Sequence, residues 1–361
     1  MSIRRSIPFL IALLAFLAAG PAPGSGQEPE RTILQPPEHG MYHAAFPDFG
    51  GPESFVTRYR LRDFERLVDK EIAWAYFSDN WFNGIGFPSK AVKVIARYGR
   101  VPFIRMMARS NYKQKPSKYT LQKILDGNFD DDLHEWCSGA RDSVVPLLVE
   151  FGTEVNGFWF PWNGRWNGGG ETGDYGDPKE ADGPERFRDT YRHIVDICRD
   201  EGAWNITWFF HPNGESWPQK DWNQMSDYYP GDDYVDWIGV SVYGPQEVGE
   251  SWTSFRKLMD RTYAELDALP GNKPLALLEF GAAQEPHNEK KALWVRAALR
   301  TLRSGRYERI VAESYWHESW RNAHGPKSNL RLDSSRRTTR YYRGEVAHPF
   351  YVTEPTFGPS L

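Results

Sequence analysis

The sequence of 361 residues is poor in several features that define whole classes of protein. Its two cysteines, Cys137 and Cys198, are too few for a disulfide scaffold or a zinc site. Neither charge is in large excess, because 44 Lys and Arg stand against 48 Asp and Glu. This balance argues against a strongly basic nucleic-acid-binding protein. The two cysteines either pair in an oxidising compartment or stay as buried thiols, and both alternatives remain open here.

The chain also lacks the short motifs of several enzyme classes. It has no Gly-x-Ser-x-Gly elbow, no phosphate-binding loop and no His-Glu-x-x-His pair. His211, His317 and His324 do not have the spacing of a metal-ligand set. We therefore expect no metal, no cofactor and no nucleic-acid partner.

The N-terminal segment is typical of a secretory signal peptide. Arg4 and Arg5 precede an apolar run at residues 7–20, and small residues follow. The run is short for a membrane span, although an uncleaved anchor is an alternative. We predict a signal peptide at 1–27, a linker at 28–39, a folded body at 40–335 and a tail at 336–361 that straps across the body. The mature protein is expected to be secreted, extracellular or periplasmic, free of the membrane and monomeric.

Eight short runs rich in β-branched and aromatic residues recur along the folded body. They occupy residues 40–46, 72–77, 101–107, 144–151, 206–210, 237–242, 275–280 and 310–315. Segments of helical periodicity separate most of them, for example at 185–200, 251–269 and 288–302. This alternation predicts an α/β fold, a single (β/α)8 barrel. The alternative is an open doubly wound sheet, but no glycine-rich turn follows the first run. The polar, glycine-rich stretch 163–183 is predicted to be a loop insertion.

Two glutamates lie at the carboxyl ends of predicted strands, where barrel enzymes have their active sites. Glu154 follows the fourth run and Glu279 closes the seventh. A carboxylate at the end of an apolar strand is costly unless it is paired or used. A structural salt bridge explains either glutamate alone, whereas two of them at one barrel mouth favour acid/base chemistry. Glu150, Glu313 and Asp236 are predicted to be structural partners or neighbours of the site.

Most of the fifteen tryptophans follow strand ends rather than lying in strands or helices. They are Trp81, Trp159, Trp162, Trp166, Trp217, Trp222, Trp252, Trp316 and Trp320. A sugar ring stacks its C–H face on an aromatic plane, so this placement predicts a carbohydrate cleft. The alternative for each tryptophan is a packing anchor inside a loop. His211, directly after the fifth run, is either a substrate contact or a hydrogen-bonded loop anchor.

Five segments of the chain resemble glycoside hydrolase family 26, in the order in which that family has them. They are residues 127–136, 145–164 ("VPLLVEFGTEVNGFWFPWNG"), 191–213, 228–244 and 273–282 ("KPLALLEFGA"). The resemblance extends from about residue 40 to about residue 320. It implies a (β/α)8 barrel of the retaining glycosidase clan A. Most members of that family are endo-β-1,4-mannanases, and some are β-1,3-xylanases or mixed-linkage β-glucanases.

The resemblance also implies roles for individual residues. Glu154 matches the acid/base of the family and Glu279 its nucleophile. Tyr243 matches a tyrosine that hydrogen-bonds the nucleophile, Trp159 a sugar-contacting tryptophan, and Trp316 the floor of the cleavage subsite. The further predicted substrate contacts are Asn156, Trp81, Trp162, Trp217 and His211.

Three positions near the cleaved sugar depart from the family pattern. This chain has Thr153 where the family usually has His, Glu150 where it usually has Arg, and Ser241 where it often has Asp. We predict a secreted retaining glycoside hydrolase acting on a β-linked polysaccharide or oligosaccharide, in the first place an endo-β-1,4-mannanase. The alternatives are a β-1,3-xylanase or a mixed-linkage β-glucanase. A barrel that binds carbohydrate with little turnover is the alternative from another class.

Overall fold

The computed structural model describes residues 31–116, 118–285, 289–321 and 327–359. Within these ranges eight parallel strands form a closed barrel, because the first strand pairs with both the second and the eighth. The strands are β1 (Met41–Phe46), β2 (Trp74–Asn80), β3 (Val101–Met107), β4 (Leu147–Phe151), β5 (Ile206–Phe210), β6 (Trp237–Tyr243), β7 (Leu275–Gly281) and β8 (Ile310–Trp316). The predicted (β/α)8 barrel is confirmed. The predicted signal peptide at 1–27 lies outside the described residues.

Helices surround the barrel. Those in the described ranges are α1 (Arg58–Val68), α2 (Ser89–Arg97), α3 (Leu121–Leu125), α4 (Asp130–Asp142), α5 (Asp182–Asp200), α6 (Phe255–Asp267), α7 (Lys290–Arg303) and α8 (Arg336–Val346). Each has buried apolar side chains, such as Leu61, Phe64 and Val68 in α1. None of the helices in the described part of the chain is long and apolar enough to span a bilayer.

The strands read as nearly continuous apolar runs because both of their faces are buried. Aromatic side chains fill the barrel interior, where the Phe103 ring lies 4.4 Å from that of Tyr76 and 4.7 Å from that of Phe209, centroid to centroid. The strand register slips between Val240 and Ser241, where β6 pairs with β7. Such irregularities re-aim side chains, and this one lies beside Glu279, which pairs with Ser241.

Both ends of the described chain pack on the barrel. Ile33–Leu34, within the expected linker, pairs antiparallel with Phe357–Gly358 and is buried. Leu34 is held there by hydrogen bonds, its N–H donating to Thr207 Oγ1 at 2.9 Å and its carbonyl accepting from Trp237. The segment is therefore part of the folded body rather than a free linker.

The tail is also more regular than the sequence suggested. It begins with α8, which packs on α7 and α1, and Tyr351–Val352 then pairs parallel with β1. Cys137 and Cys198 form a disulfide between α4 and α5, with Cα atoms 4.9 Å apart and a sequence separation of 61. This bond decides between the two alternatives that the sequence left open.

The insertion after β4 is compact. It contains a short 3-10 helix, Gly164–Trp166, and returns to the barrel at the start of α5. There Gly183 lies so close to Gly164 that a Cβ at Gly183 would be 2.6 Å from the Gly164 carbonyl oxygen. The close approach explains why glycine occupies this position.

Candidate active site

Glu154 and Glu279 line one cavity at the carboxyl ends of the strands. Glu154 lies just beyond the end of β4, and Glu279 is close to the carboxyl end of β7. The cavity has a volume of about 620 Å³, and Trp159, Tyr243 and Trp316 also line it. Both glutamates are buried, with exposed fractions of 7% and 3%. The structure thus brings both predicted carboxylates to the same barrel mouth.

The backbone at Glu154 is strained and tightly held. Glu154 has a φ of 51°, in the left-handed region that costs a non-glycine residue about 1–3 kcal/mol. Four successive carbonyls around it accept hydrogen bonds. The carbonyl of residue 153 accepts from Trp162 Nε1, and that of residue 154 accepts from Gly157 N. The carbonyl of residue 155 accepts from Asn163 Nδ2. The carbonyl of residue 156 accepts from both Trp217 N and Asn223 Nδ2, and all five distances are 2.7–2.9 Å. These bonds fix the turn that aims the Glu154 carboxylate, which itself accepts from Trp159 Nε1 at 2.7 Å.

Glu279 has two polar neighbours, one on the adjacent strand β6 and one across the barrel on β3. The Tyr243 hydroxyl donates to its Oε2 at 2.7 Å, and the Arg105 guanidinium lies 3.2 Å from its Oε1. Burial raises the pKa of Glu279 to about 7; Arg105 opposes that rise, and the charge of Glu154 adds to it. Tyr243 and Arg105 therefore favour the ionised form of Glu279, whereas burial and the charge of Glu154 favour its protonated form.

Arg105, on β3, is the central cation of the site and is almost fully buried. Besides Glu279 it faces Glu150 at 3.4 Å and Glu53 at 3.6 Å. Its guanidinium lies 4.8 Å from the ring centroid of Trp316, so it also supports one wall of the cavity. The mutual attraction of these groups offsets the large cost of burying a guanidinium.

His211 and Glu150 form a buried ion pair beneath the cavity. His211 Nδ1 lies 2.6 Å from Glu150 Oε2, and His211 Nε2 lies 2.9 Å from Ser241 Oγ. The pKa of His211 is raised, because Glu150 outweighs the effect of burial. The pKa of Glu150 is lowered despite its burial, by His211 and Arg105. His211 is 1% exposed, which corresponds to the loop-anchor alternative and not to a direct substrate contact.

The structure places several other predicted contacts away from the cavity surface. Trp81 is fully buried against Tyr119, and Trp162 is 1% exposed, so neither ring can be a sugar platform. Asn156 is also buried, where its side chain bonds the backbone of Asn213. These three residues therefore support loops. Their position after a strand did not decide this, because a polar or aromatic side chain there can pack inward as readily as outward.

Glu313 and Asp236 lie apart from Glu154 and Glu279. Glu313 is fully buried and contacts His43, and Asp236 pairs with Arg31 at 2.6 Å. Both were predicted as structural partners or neighbours of the site, and the structure gives each a structural partner.

A second cavity of about 470 Å³ continues the cleft from the first. The two share Trp159, Tyr243 and Trp320 among their lining residues. Trp217 lines the second cavity and is 44% exposed, so its ring is available to a ligand. The cleft therefore extends beyond the cavity that holds the two glutamates, which gives it room for more than one sugar unit.

Sequence reasoning missed Arg105 and Glu53. The signal for Arg105 was present, since it is the one charged residue in the apolar run 101–107. A buried charge within a strand needs partners, and in barrels these lie at the site. Glu53 lies in a polar loop after β1, where no pattern distinguishes it from its neighbours.

One trio in the described residues has the spacing of a metal site. Ligand-type atoms of Glu150, His211 and Glu279 lie within 4.8 Å of one another. The Arg105 guanidinium already contacts both carboxylates of the trio. Arg105 thus supplies the positive charge that these two carboxylates need.

Comparison with known proteins relates the chain to one family. Residues 113–272, which include Glu154 but end before Glu279, match the model of glycosyl hydrolase family 26. Endoglucanase H of Acetivibrio thermocellus is 30% identical over 289 residues, covering 79% of this chain and 29% of the relative. A mannan endo-1,4-β-mannosidase of Bacillus subtilis is 24% identical over 218 residues, covering 60% of this chain and 49% of the relative. The chain thus spans less than half the length of either relative.

Solved structures give the same fold. The catalytic domain of a family 26 endo-β-1,4-mannanase from Bacillus sp. JAMB-750 has a TM-score of 0.64 at 15% identity, covering 87% of each chain. The ordered motifs, the closed barrel and the matches in sequence agree. This chain belongs to glycoside hydrolase family 26.

Proposed function

We propose that this protein is a retaining glycoside hydrolase that cleaves a β-linked polysaccharide by double displacement. The observation that carries the proposal is the pair of buried glutamates on one cavity, with Tyr243 and Arg105 both contacting Glu279. A nucleophile needs groups that favour its ionised form, and only Glu279 of the pair has two such groups. Glu154 has one such donor, the Trp159 indole, and lies on a fixed turn at the same cavity, so we assign to it the proton exchange with the leaving oxygen and with water.

In the first step the Glu279 carboxylate attacks the anomeric carbon, and the bond from that carbon to the leaving oxygen breaks. The electron pair leaves with the oxygen, and Glu154 gives that oxygen its proton. In the second step Glu154 takes a proton from water, which attacks the same carbon and releases Glu279. The two inversions retain the configuration, and this geometry requires carboxyl groups about 5–5.5 Å apart.

For the backbone of the substrate, two observations support a β-glucan ahead of the mannan that the sequence motifs favour. The relative named an endoglucanase matches 79% of this chain, against 60% for the mannosidase. In addition, Glu150, Thr153 and Ser241 depart from the family pattern and surround His211, beneath the cavity. A β-1,4-mannan and a β-1,3-xylan are the other substrates to be compared.

The test is a reducing-sugar assay on mixed-linkage β-glucan, β-1,4-mannan and β-1,3-xylan, with Glu279→Ala as the blank. Proton NMR of the first product formed reports its anomeric configuration, which is expected to be β. Glu154→Ala should slow natural substrates far more than aryl glycosides with activated leaving groups, which need no protonation. Full activity of Glu279→Ala, or an α product, would refute the mechanism. Polysaccharide binding without any product would favour the carbohydrate-binding barrel instead.

A further inference from the structure

The Lys and Arg residues of the outer helices are concentrated on one side of the barrel. The helices α7, α8, α1 and α2 adjoin in that order and together contain sixteen Lys and Arg against three Asp and Glu. The helices α3 to α6 contain nine Lys and Arg against thirteen Asp and Glu. We call the surface of α7, α8, α1 and α2 the basic wall. The near-neutral total charge of the chain conceals it.

Most of these cations face solvent. One of the sixteen, Lys291, is buried and donates to backbone carbonyls, so it does not contribute to the surface. Four arginines are exposed and, within the described residues, have no carboxylate partner: Arg58, Arg66, Arg336 and Arg340. The three cations of α2 are likewise exposed and, among the residues described, unpaired: Lys90, Lys93 and Arg97.

The few acids on the basic wall do not neutralise it. Arg296, Arg300 and Arg303 all contact the single carboxylate of Glu345, at 3.2, 2.7 and 3.1 Å. The surrounding arginines also affect the titration of Tyr341. Its pKa is lowered, first by the hydrogen bond from Arg337 and then by the charges of Arg337 and Arg296. A negative charge is thus stabilised at this surface.

The basic wall contains a groove between α1 and α2 that could hold part of a ligand. Its volume is about 560 Å³. Val56, Val94 and the rings of Tyr59 and Tyr98 line it, together with three cations, Arg58, Lys90 and Arg97. Tyr59 is 60% exposed. Apolar and aromatic surface accommodates the C–H face of a sugar ring, and the cations at the same groove accommodate a carboxylate on that ring.

We infer that the basic wall binds an acidic polysaccharide, a polymer of uronic acids, independently of the catalytic cleft. A linear polyanion follows cations that are spread over four helices around a barrel, whereas a flat anionic membrane meets only those on one plane. The mixed apolar and cationic lining of the groove matches a carboxylated sugar better than a phosphodiester backbone, which is bound through its charge. Among the described residues, the groove shares no lining residue with either cavity of the cleft.

The experiment measures the affinity of the full chain for polygalacturonate by electrophoresis through gels that contain the polymer. The variant is Arg58→Gln, Arg66→Gln, Arg340→Gln. Its matched control is Lys123→Gln, Lys179→Gln, Lys257→Gln, which removes the same charge from exposed residues outside the basic wall. Each cation near an anionic surface strengthens binding about fivefold, so the variant should bind about a hundredfold more weakly. The control should stay within about threefold, and both should hydrolyse neutral glycan like the parent.

Raising the ionic strength from about 0.01 M to about 1 M shortens the Debye length from about 30 to about 3 Å and should abolish binding. Parallel arms use vesicles of anionic phospholipid and duplex DNA at the same concentration of negative charge. Tighter binding to either than to polygalacturonate would overturn the choice of partner. The inference also fails if the parent does not bind the polymer at low ionic strength. Equal loss of binding in the variant and its control would remove the basic wall as the cause.

Discussion

Replacing Arg105 with methionine tests the assignment of Glu279 as the ionised nucleophile. The change removes a buried cation 3.2 Å from Glu279 Oε1. An adjacent opposite charge lowers the pKa of a carboxyl by about 1 to 3, so its removal raises the pKa of Glu279 from about 7 to about 8–10. The ionised fraction at pH 7 then falls from about one half to between about 9% and about 0.1%. We expect kcat/KM at pH 7 to fall about 5- to 500-fold, with partial recovery as the pH rises.

The assay is the pH profile of kcat/KM on an aryl glycoside with an activated leaving group, because such a substrate makes little demand on Glu154. Its acidic limb reports the ionisation of Glu279 in the free enzyme. The titratable groups that face Glu279 are Arg105, Tyr243, Glu154, His211 and Glu150. Glu154→Gln removes a negative neighbour and should move the same limb to lower pH, opposite in sign to Arg105→Met.

Two comparison variants separate charge from folding. Arg105→Lys keeps a cation and should move the limb by less than about 1 pH unit. Removing one partner of a buried ion pair costs about 3–5 kcal/mol, so Arg105→Met is also made with Glu150→Gln to relieve the uncompensated carboxylate. The reasoning is refuted if a folded Arg105→Met protein keeps its acidic limb near pH 7 and its kcat/KM within about twofold of the parent.

Four further changes probe other parts of the structure. Tyr243→Phe removes a hydrogen bond to a charged group, worth about 1.5–3 kcal/mol, and should lower kcat/KM about 10- to 150-fold while the melting temperature is nearly unchanged. Asn163→Ala leaves the Val155 carbonyl without its donor and should slow substrates with poor leaving groups more than activated ones, as paired kinetic assays would show. Cys137→Ser with Cys198→Ser should lower the free energy of unfolding by about 4 kcal/mol in urea titrations, without loss of activity at 25 °C. Gly183→Ala should destabilise the fold by about 1–3 kcal/mol, since its Cβ would meet the Gly164 carbonyl; an unchanged unfolding midpoint would contradict this.

The barrel could be predicted because each of its strands is recognisable from its own residues. Parallel strands buried on both faces leave apolar runs at regular spacing, and the run 101–107 coincides with β3. The runs at 72–77 and 144–151 differ from β2 and β4 by two to three residues at one or both ends. Apolar residues next to a strand pack on the core as well, and hydrophobicity alone does not mark where pairing begins.

The site was predictable only in part. The glutamates could be found because each follows an apolar strand, but the direction of a side chain in a loop depends on distant residues. Trp162 and Trp217 both follow strand ends, yet the first is buried against the Thr153 carbonyl and the second is exposed. The basic wall was hidden for a similar reason: a total charge says nothing of how that charge is distributed among helices.

The turn that carries Glu154 has a consequence for changing the specificity of this barrel. Two of its four carbonyls take their side-chain donors from the segment that begins at Trp162 and Asn163, and a third takes one from Asn223, beyond β5. An engineer who transplants the β4–α5 loop from a relative, in order to reshape one end of the cleft, would also exchange the side chains that hold the turn of Glu154, the proposed proton donor. Such chimaeras should therefore lose turnover before they change substrate, unless Trp162, Asn163 and Asn223 are carried along as one unit.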